Sequence, residues 1–297
     1  MTAYLVAVGI VALIYMLLTI GLNLQYGYTG LINFGVVAFF AIGAYASALL
    51  TLKGWPLAPA FAVATLIAAI VAYPIGLISL RLSDDYLAVV TLGFSETVRL
   101  AIQQERWLTN GVQGLPGIPR LFQSLGIGSY AEIATLALLI AANAAVIGLM
   151  VHLVKSPYGR LIQAIRDDEV AVEAIGKDPR RLKVQVFMLG SGLAGLAGAF
   201  YAHFITYLSP DQFLPLVTFY VWIAMIIGGT GRTSGAIAGS VILMVFLEGS
   251  RFARDWIPGV SEVQMASVRL ALVGLALIVF TIYRPQGIMG GKGERRS

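Results

Sequence analysis

The sequence contains no cysteine and only two histidines among its 297 residues. Without cysteine the chain can form no disulfide bond, no thiolate metal site and no cysteine nucleophile. The histidines, His152 and His203, lie too far apart in the sequence to have the spacing of metal ligands. The sequence also shows no pairing of a nucleophile with a base. We therefore expect no enzyme activity, no catalytic residue, no metal and no cofactor.

Charge is also scarce, since Asp, Glu, Lys and Arg make up 12% of the residues while hydrophobic residues make up 58%. A soluble domain carries about 25% charged residues, so this composition indicates a polytopic membrane protein. Basic residues number 20 and acidic residues 15. In a membrane protein surrounded by lipid, basic residues collect on the cytoplasmic loops, and this rule accounts for the excess. Nucleic-acid binding is not expected, since no basic patch interleaved with aromatic residues occurs away from a membrane flank.

The hydropathy pattern predicts an all-α, polytopic membrane helical bundle that forms a single transmembrane domain over residues 1–297. A membrane-spanning helix needs about 20 apolar residues. The first apolar run lacks the basic start of a signal peptide and is expected to remain as a span. About nine hydrophobic segments follow from this pattern: 4–23, 31–51, 57–80, 86–103, 131–154, 184–208, 213–227, 235–247 and 266–283.

Three connecting or atypical segments stand out in this pattern. Residues 25–30 are rich in glycine and polar side chains but carry no charge, which indicates a broken or re-entrant segment with its backbone satisfied inside the protein. Segment 86–103 contains Glu96 and Arg99, which is typical of an internal or tilted helix. The Gly/Pro-rich residues 105–130 form a candidate lid or docking surface outside the membrane.

One charged stretch, residues 155–183, interrupts the apolar spans, and we call it the polar loop. It carries seven Lys and Arg residues and the C-terminal tail carries three, so both are expected in the cytoplasm and the N-terminus outside. Helix-capping residues recur along it: Ser156-Pro157, Asp167 or Asp168, Gly176, and Asp178-Pro179. They predict two short helices with a sharp turn at Gly176. A plain solvated loop would not need this regularity, which favours a docking element for a cytoplasmic partner.

Four stretches carry a resemblance to a known family. They are residues 21–45, residues 85–94, Ser156-Pro-Tyr-Gly-Arg160 through Gly176, and Gly228-Gly-Thr-Gly231. As a set they cover the chain from about Gly21 to Arg284, and the sequence resembles the LivM-type permease subunit of bacterial branched-chain amino-acid ABC importers. One departure is Val36-Val37, where a polar residue or histidine is expected after Gly35.

The resemblance implies a coupling helix, residues 167–176, that docks into a groove on a separate ATPase subunit. The expected ATPase-coupling residues are Arg166, Asp167, Asp168, Glu169, Glu173 and Gly176. It also implies the partners: two ABC ATPase subunits, a second homologous permease subunit and an extracytoplasmic substrate-binding protein. The implied location is the bacterial cytoplasmic (inner) membrane.

Asn33 is a polar residue within an apolar stretch, between Gly30 and Gly35. An unpaired amide in lipid would cost several kcal/mol, so Asn33 is expected to face the protein interior. We expect Asn33, Phe34 and Phe39 to lie near the translocation path.

Alternative functions rest on the few ionisable groups within apolar segments. Glu96, His203 and Glu248 could serve a proton-coupled secondary transporter, and a channel is a further alternative. Glu96–Arg99 and Glu248–Arg251 are also spaced as i, i+3 pairs that neutralise each other, which favours a structural role. Within an ABC importer, urea or a short amide is the alternative substrate.

The glycine motifs of the apolar segments do not indicate a nucleotide site. Residues 190–195 fit the pattern GxGxxG, but a dinucleotide site needs a preceding strand. Ser191, Gly195 and Ala199 instead predict a helix-packing face of small residues, and the pair Gly235 and Gly239 predicts the same.

Overall fold

A computed structural model describes residues 2–79, 84–122 and 130–253, together with scattered positions between 267 and 289. In these residues the chain forms α-helices joined by short connections, with one isolated β-bridge and no longer strand pairing. The helices are α1 Thr2–Leu22, α2 Val36–Leu52, α3 Leu57–Ser79, α4 Asp84–Gln104, α5 Arg106–Thr109, α6 Tyr130–Lys155, α7 Pro157–Asp167, α8 Glu169–Ala174, α9 Pro179–Ile205, α10 Leu216–Gly228 and α11 Thr233–Ala253.

The predicted all-α membrane bundle is confirmed. Five helical stretches are long and apolar enough to cross a membrane: Ala3–Gly27, Leu57–Ile78, Tyr130–Lys155, Pro179–Ile205 and Pro210–Gly228. Val36–Leu52 and Thr233–Gly249 are shorter apolar helices. Eight of the nine predicted hydrophobic segments coincide with helices, and most of the ninth, 266–283, lies outside the described residues.

Helix α9 lies at the centre of the bundle and packs against α1, α2 and α3. Its small residues permit this contact, because a methyl group added at Gly195 would overlap Ala68, and one at Gly198 would overlap the carbonyl of Phe40. The predicted small-residue face of this segment is therefore a helix-packing face. Gly239 likewise permits close packing of α10 against α11, since a methyl group there would overlap the carbonyl of Ala224.

At one end of the bundle the loop between α4 and α6 folds over the C-terminal end of α9. Leu115 and Leu208 exchange two backbone hydrogen bonds of 2.8 and 3.1 Å, and the Tyr207 hydroxyl donates to the Gln113 carbonyl at 2.8 Å. The loop follows the expectation of an irregular Gly/Pro-rich segment, but it also contains the short helix α5. Residues 123–129 of the predicted loop lie outside the described residues.

The polar loop lies at the opposite end, together with three other parts of the chain. The Arg166 guanidinium reaches Gly27 just beyond α1, and Gly231 of the α10–α11 turn lies beside both. Ile288 donates its backbone N–H to Ile227 at 2.8 Å, which brings the residues before the tail to the same end. The start of α1 is therefore at the far end from the polar loop, as the count of spans predicts.

Candidate functional site

The polar loop folds as two short helices whose ends are capped by its own side chains. The Ser156 hydroxyl accepts the backbone N–H of Gly159 at 3.2 Å, and Pro157 opens α7. The buried face of α7 carries Ile162 and Ile165. Tyr158 also packs inward, and its burial raises the pKa of its phenol. This apolar face anchors α7 on the bundle.

The corner between the two helices is made by Asp168. Its backbone is extended, with φ of −157°, and its carboxylate accepts the N–H of Ala171 at 3.0 Å. Asp168, rather than Asp167, is therefore the cap of α8. Beyond α8, Gly176 adopts φ of +76°, and the Asp178 carboxylate caps α9 by accepting the N–H of Arg180 at 3.0 Å. The predicted sequence of caps is confirmed.

Helix α8 stands out from the bundle. Only Val172 of its residues is buried, while Val170 is 73% exposed and Ile175, just beyond the helix, is 68% exposed. Glu173 is exposed as well. Exposed apolar side chains on a charged and well-capped helix are typical of a surface that a partner covers.

The predicted coupling residues divide into two groups. Asp167, Asp168, Glu173 and Gly176 are exposed, whereas Arg166 and Glu169 turn towards the bundle. Glu169 pairs with Lys183 of α9 at 2.5 Å. The Arg166 side chain is 24% exposed, and its Nη1 donates to the Gly27 carbonyl at 2.8 Å. The structure thus places part of this set against the membrane helices.

Gly27 belongs to an irregular segment between α1 and α2, residues 23–35, which we call the break. It begins with a π-helical turn, Asn23–Gly27, and continues through a turn and irregular backbone to α2. Part of its backbone is bonded within the segment, since Gly30 donates to Tyr26 and Leu31 to Gln25, both at 2.9 Å. Most of its residues are buried. The prediction of a broken segment inside the protein is confirmed.

Polar side chains hold the break to other helices. The Asn23 carbonyl oxygen Oδ1 accepts the N–H of Gly231 at 2.9 Å. The Gln25 amide donates to the Phe187 carbonyl of α9 at 2.9 Å and to the Ser191 hydroxyl at 3.3 Å. Gln25 Oε1 in turn accepts from Asn33 Nδ2 at 2.9 Å. The break is therefore fixed on α9 and on the α10–α11 turn by buried amides.

Asn33 itself is fully buried, as the sequence predicts. Its Oδ1 accepts the N–H of Gly35 at 2.7 Å, and its backbone carbonyl accepts Trp222 Nε1 at 2.9 Å. Phe34 stacks on Trp222 with ring centroids 4.9 Å apart. Phe39 lies in a neighbouring aromatic group, 5.5 Å from Phe94 and 5.7 Å from Phe187. Asn33 and Phe34 thus share one cluster, and Phe39 belongs to the next.

Gln25 and Trp222 complete this cluster but were not among the predicted site residues. Gln25 gave a weak signal, as an amide beside an apolar span. Trp222 gave none, because its neighbours in α10 are as apolar as those of any other span.

Glu96, His203 and Glu248, the candidates for proton transfer, each have a partner in the structure. Arg99 Nε donates to both carboxylate oxygens of Glu96, at 3.1 and 3.0 Å, so the predicted pair exists. His203 contacts the Ser47 hydroxyl at 2.9 Å and the Pro119 carbonyl at 2.7 Å. Glu248 accepts the Tyr4 hydroxyl at 2.6 Å. The predicted Glu248–Arg251 pair lies outside the described side chains.

The sequence has counterparts among known proteins. Residues 4–281 match the family described as branched-chain amino acid transport system / permease component. The chain belongs to this family. It is a multi-pass membrane protein and a transport subunit.

Individual relatives agree with this assignment. The high-affinity branched-chain amino acid transport system permease protein LivM of Escherichia coli is 32% identical, over 96% of this chain and 69% of its own length. A probable LivM of Methanocaldococcus jannaschii is 23% identical, over 94% and 91%. LivH of Escherichia coli is 24% identical, over 93% and 91%. No solved structure matches the chain.

Proposed function

We propose that this chain is the permease subunit of an ABC importer that carries branched-chain or related hydrophobic amino acids across the bacterial cytoplasmic membrane. The family match over residues 4–281 is the observation that carries this proposal. The relatives LivM of Escherichia coli and of Methanocaldococcus jannaschii are named for branched-chain amino acid transport. The chain forms a single transmembrane permease domain and hydrolyses no ATP itself, so the energy comes from partner subunits.

Within the polar loop, α8 and the turn that follows it are the proposed contact with the ATPase. Helix α8 is exposed, capped at its N-terminus by Asp168 and followed by the turn at Gly176. Val170 and Ile175 would enter the ATPase groove, with Asp167 and Glu173 beside them. An importer of this kind has two ATPase subunits, one under each of two homologous permease subunits.

On the outer side, the described part of the loop between α4 and α6 is the proposed contact with the extracytoplasmic binding protein. Trp107 and Val112 are 82% and 61% exposed there. His203 and Leu208 hold the loop on the end of α9, so a binding protein that presses on it would act on the central helix.

The translocation path is proposed to run past the break, near Asn33, Phe34 and Phe39. Broken helices occur at membrane depth where they line a cavity or are buried in protein. The buried state of Asn33 corresponds to a closed path. ATP binding in the partner would move α8, and the bundle would then open the path to one side at a time.

The alternatives have less support. Glu96 is engaged by Arg99, and His203 has partners at both ring nitrogens, which suits a structural role better than proton carriage. No observation favours urea or a short amide as substrate.

The test is uptake by proteoliposomes that hold the chain with its ATPase and permease partners and the binding protein. We expect ATP-dependent uptake of labelled leucine, isoleucine or valine, and little uptake of urea. Liposomes with the chain alone and a pH gradient are the control. Uptake in that control, or uptake of urea in preference to leucine, would contradict the proposal.

A further inference from the structure

The Arg166 side chain points into the bundle, whereas a residue that contacts the ATPase would point away from it. Arg166 lies in the last turn of α7, yet its side chain runs back into the bundle and is 24% exposed. A methyl group added at Gly30 would lie 3.4 Å from Arg166 Cγ, and one at Gly231 would lie 3.2 Å from Nη1. Three glycines, Gly27, Gly30 and Gly231, thus surround the side chain. Two come from the break and one from the α10–α11 turn.

The bonds of Arg166 join α7, which leads directly into the docking helix α8, to the break. Nη1 donates to the Gly27 carbonyl at 2.8 Å, while Nε donates to the exposed Asp167 carboxylate at 3.1 Å. Gly27 is the last residue of the π-helical turn, so its carbonyl is one that an interrupted helix leaves without a partner of its own. A guanidinium can hold two acceptors at once in a fixed geometry, which an ammonium group cannot.

The contact continues inward through the break. Gln25, two residues before Gly27, holds both α9 and Asn33. Asn33 contacts Trp222 of α10 through its carbonyl. A displacement of α7 and α8 would therefore be passed to the buried amides around Asn33. The pair of Glu169 and Lys183 is a second tie, but it joins α8 only to the base of α9.

We infer that Arg166 is a positioning residue that transmits movement of the docking helix α8, through α7, to the break. This inference rests on the proposed function. It assigns Arg166 to the transmission of force within the permease, rather than to the ATPase contact itself.

The main test compares Arg166→Gln with Arg166→Lys and Arg160→Gln in the reconstituted importer. Arg160 lies on the same helix and is exposed, and among the residues that the structure describes it bonds only to the Lys155 carbonyl, at 3.4 Å. It is therefore a matched control for the loss of charge. The readout is the number of leucine molecules taken up per ATP hydrolysed. A role in folding alone would lower uptake and hydrolysis together and leave this ratio unchanged.

We expect Arg166→Gln to lower the ratio by about tenfold or more, because charge-assisted hydrogen bonds stabilise more than neutral ones. ATPase co-purification should stay normal. Arg166→Lys should recover part of the ratio, and Arg160→Gln should match the wild type. An unchanged ratio in Arg166→Gln, or its failure to co-purify with the ATPase, would overturn the inference.

Hydrogen exchange on the purified full-length permease supplies a measurement that does not depend on transport. The amides of Gly30 and Leu31, both bonded within the break, should exchange faster in Arg166→Gln but not in Arg160→Gln. Equal exchange in the two variants would contradict the inference. If the wild type lacks ATP-dependent uptake, the proposed function fails instead, and exchange alone decides whether Arg166 holds the break.

Discussion

The side-chain amides of Gln25 and Asn33 bond to each other across the break, with Nδ2 of Asn33 2.9 Å from Oε1 of Gln25. Both side chains are buried, and each has a further partner on the backbone. The pair therefore closes the irregular segment on itself while Gln25 holds it to α9. Its place beside the aromatic cluster of Phe34 and Trp222 makes it the centre of the candidate path.

Removing one amide of this pair should destabilise the protein. Asn33→Leu leaves Gln25 Oε1 and the Gly35 N–H without their partner, which should cost about 1–3 kcal/mol. Thermal unfolding in detergent measures this loss. The double variant Gln25→Met, Asn33→Leu is the control, and it should lose less than the sum of the single variants. Additive losses would show that the two amides act independently.

The location of Asn33 on the path can be tested by labelling. Because the chain has no cysteine, Asn33→Cys provides a single thiol without further changes. We expect this thiol to resist reagents that enter from the lipid. A small water-soluble reagent should react faster during ATP turnover than at rest, since the path would then open. Rapid labelling from the lipid phase, with no change on turnover, would contradict the location.

The turn at Gly176 gives a prediction about the polar loop. A methyl group there would meet nothing within 4 Å, so space is not the constraint, but φ of +76° is strained for any residue with a branched Cβ. Gly176→Val should therefore displace α8, reduce ATP-driven uptake several-fold and leave membrane insertion intact. Gly176→Asn is the matched control, because Asn tolerates this conformation. Normal uptake and normal ATPase co-purification in the valine variant would refute the role of the turn.

Local features of the fold could be predicted from the sequence, whereas long-range ones could not. The caps at Ser156, Asp168 and Asp178 could be predicted, because each bonds to a backbone only two or three residues away. The inward course of the Arg166 side chain could not be predicted, since it depends on Gly27 of the break, which is far away in the sequence. The same holds for Gln25, whose partners Phe187 and Ser191 become neighbours only when α9 packs against α1.

The acidic residues Glu96 and Glu248 allow an ABC importer to be distinguished from a proton-coupled transporter. Glu96 and Arg99 form a bonded pair on α4, so Glu96→Gln leaves the guanidinium without its anionic partner. This should reduce the yield of folded protein several-fold and leave the pH dependence of uptake unchanged. The double variant Glu96→Gln, Arg99→Gln removes both charges and should recover much of the yield. Glu248 accepts the Tyr4 hydroxyl, and uptake in Glu248→Gln should still follow ATP. A Glu248→Gln protein that folds well but loses uptake driven by a pH gradient would overturn the ABC importer proposal.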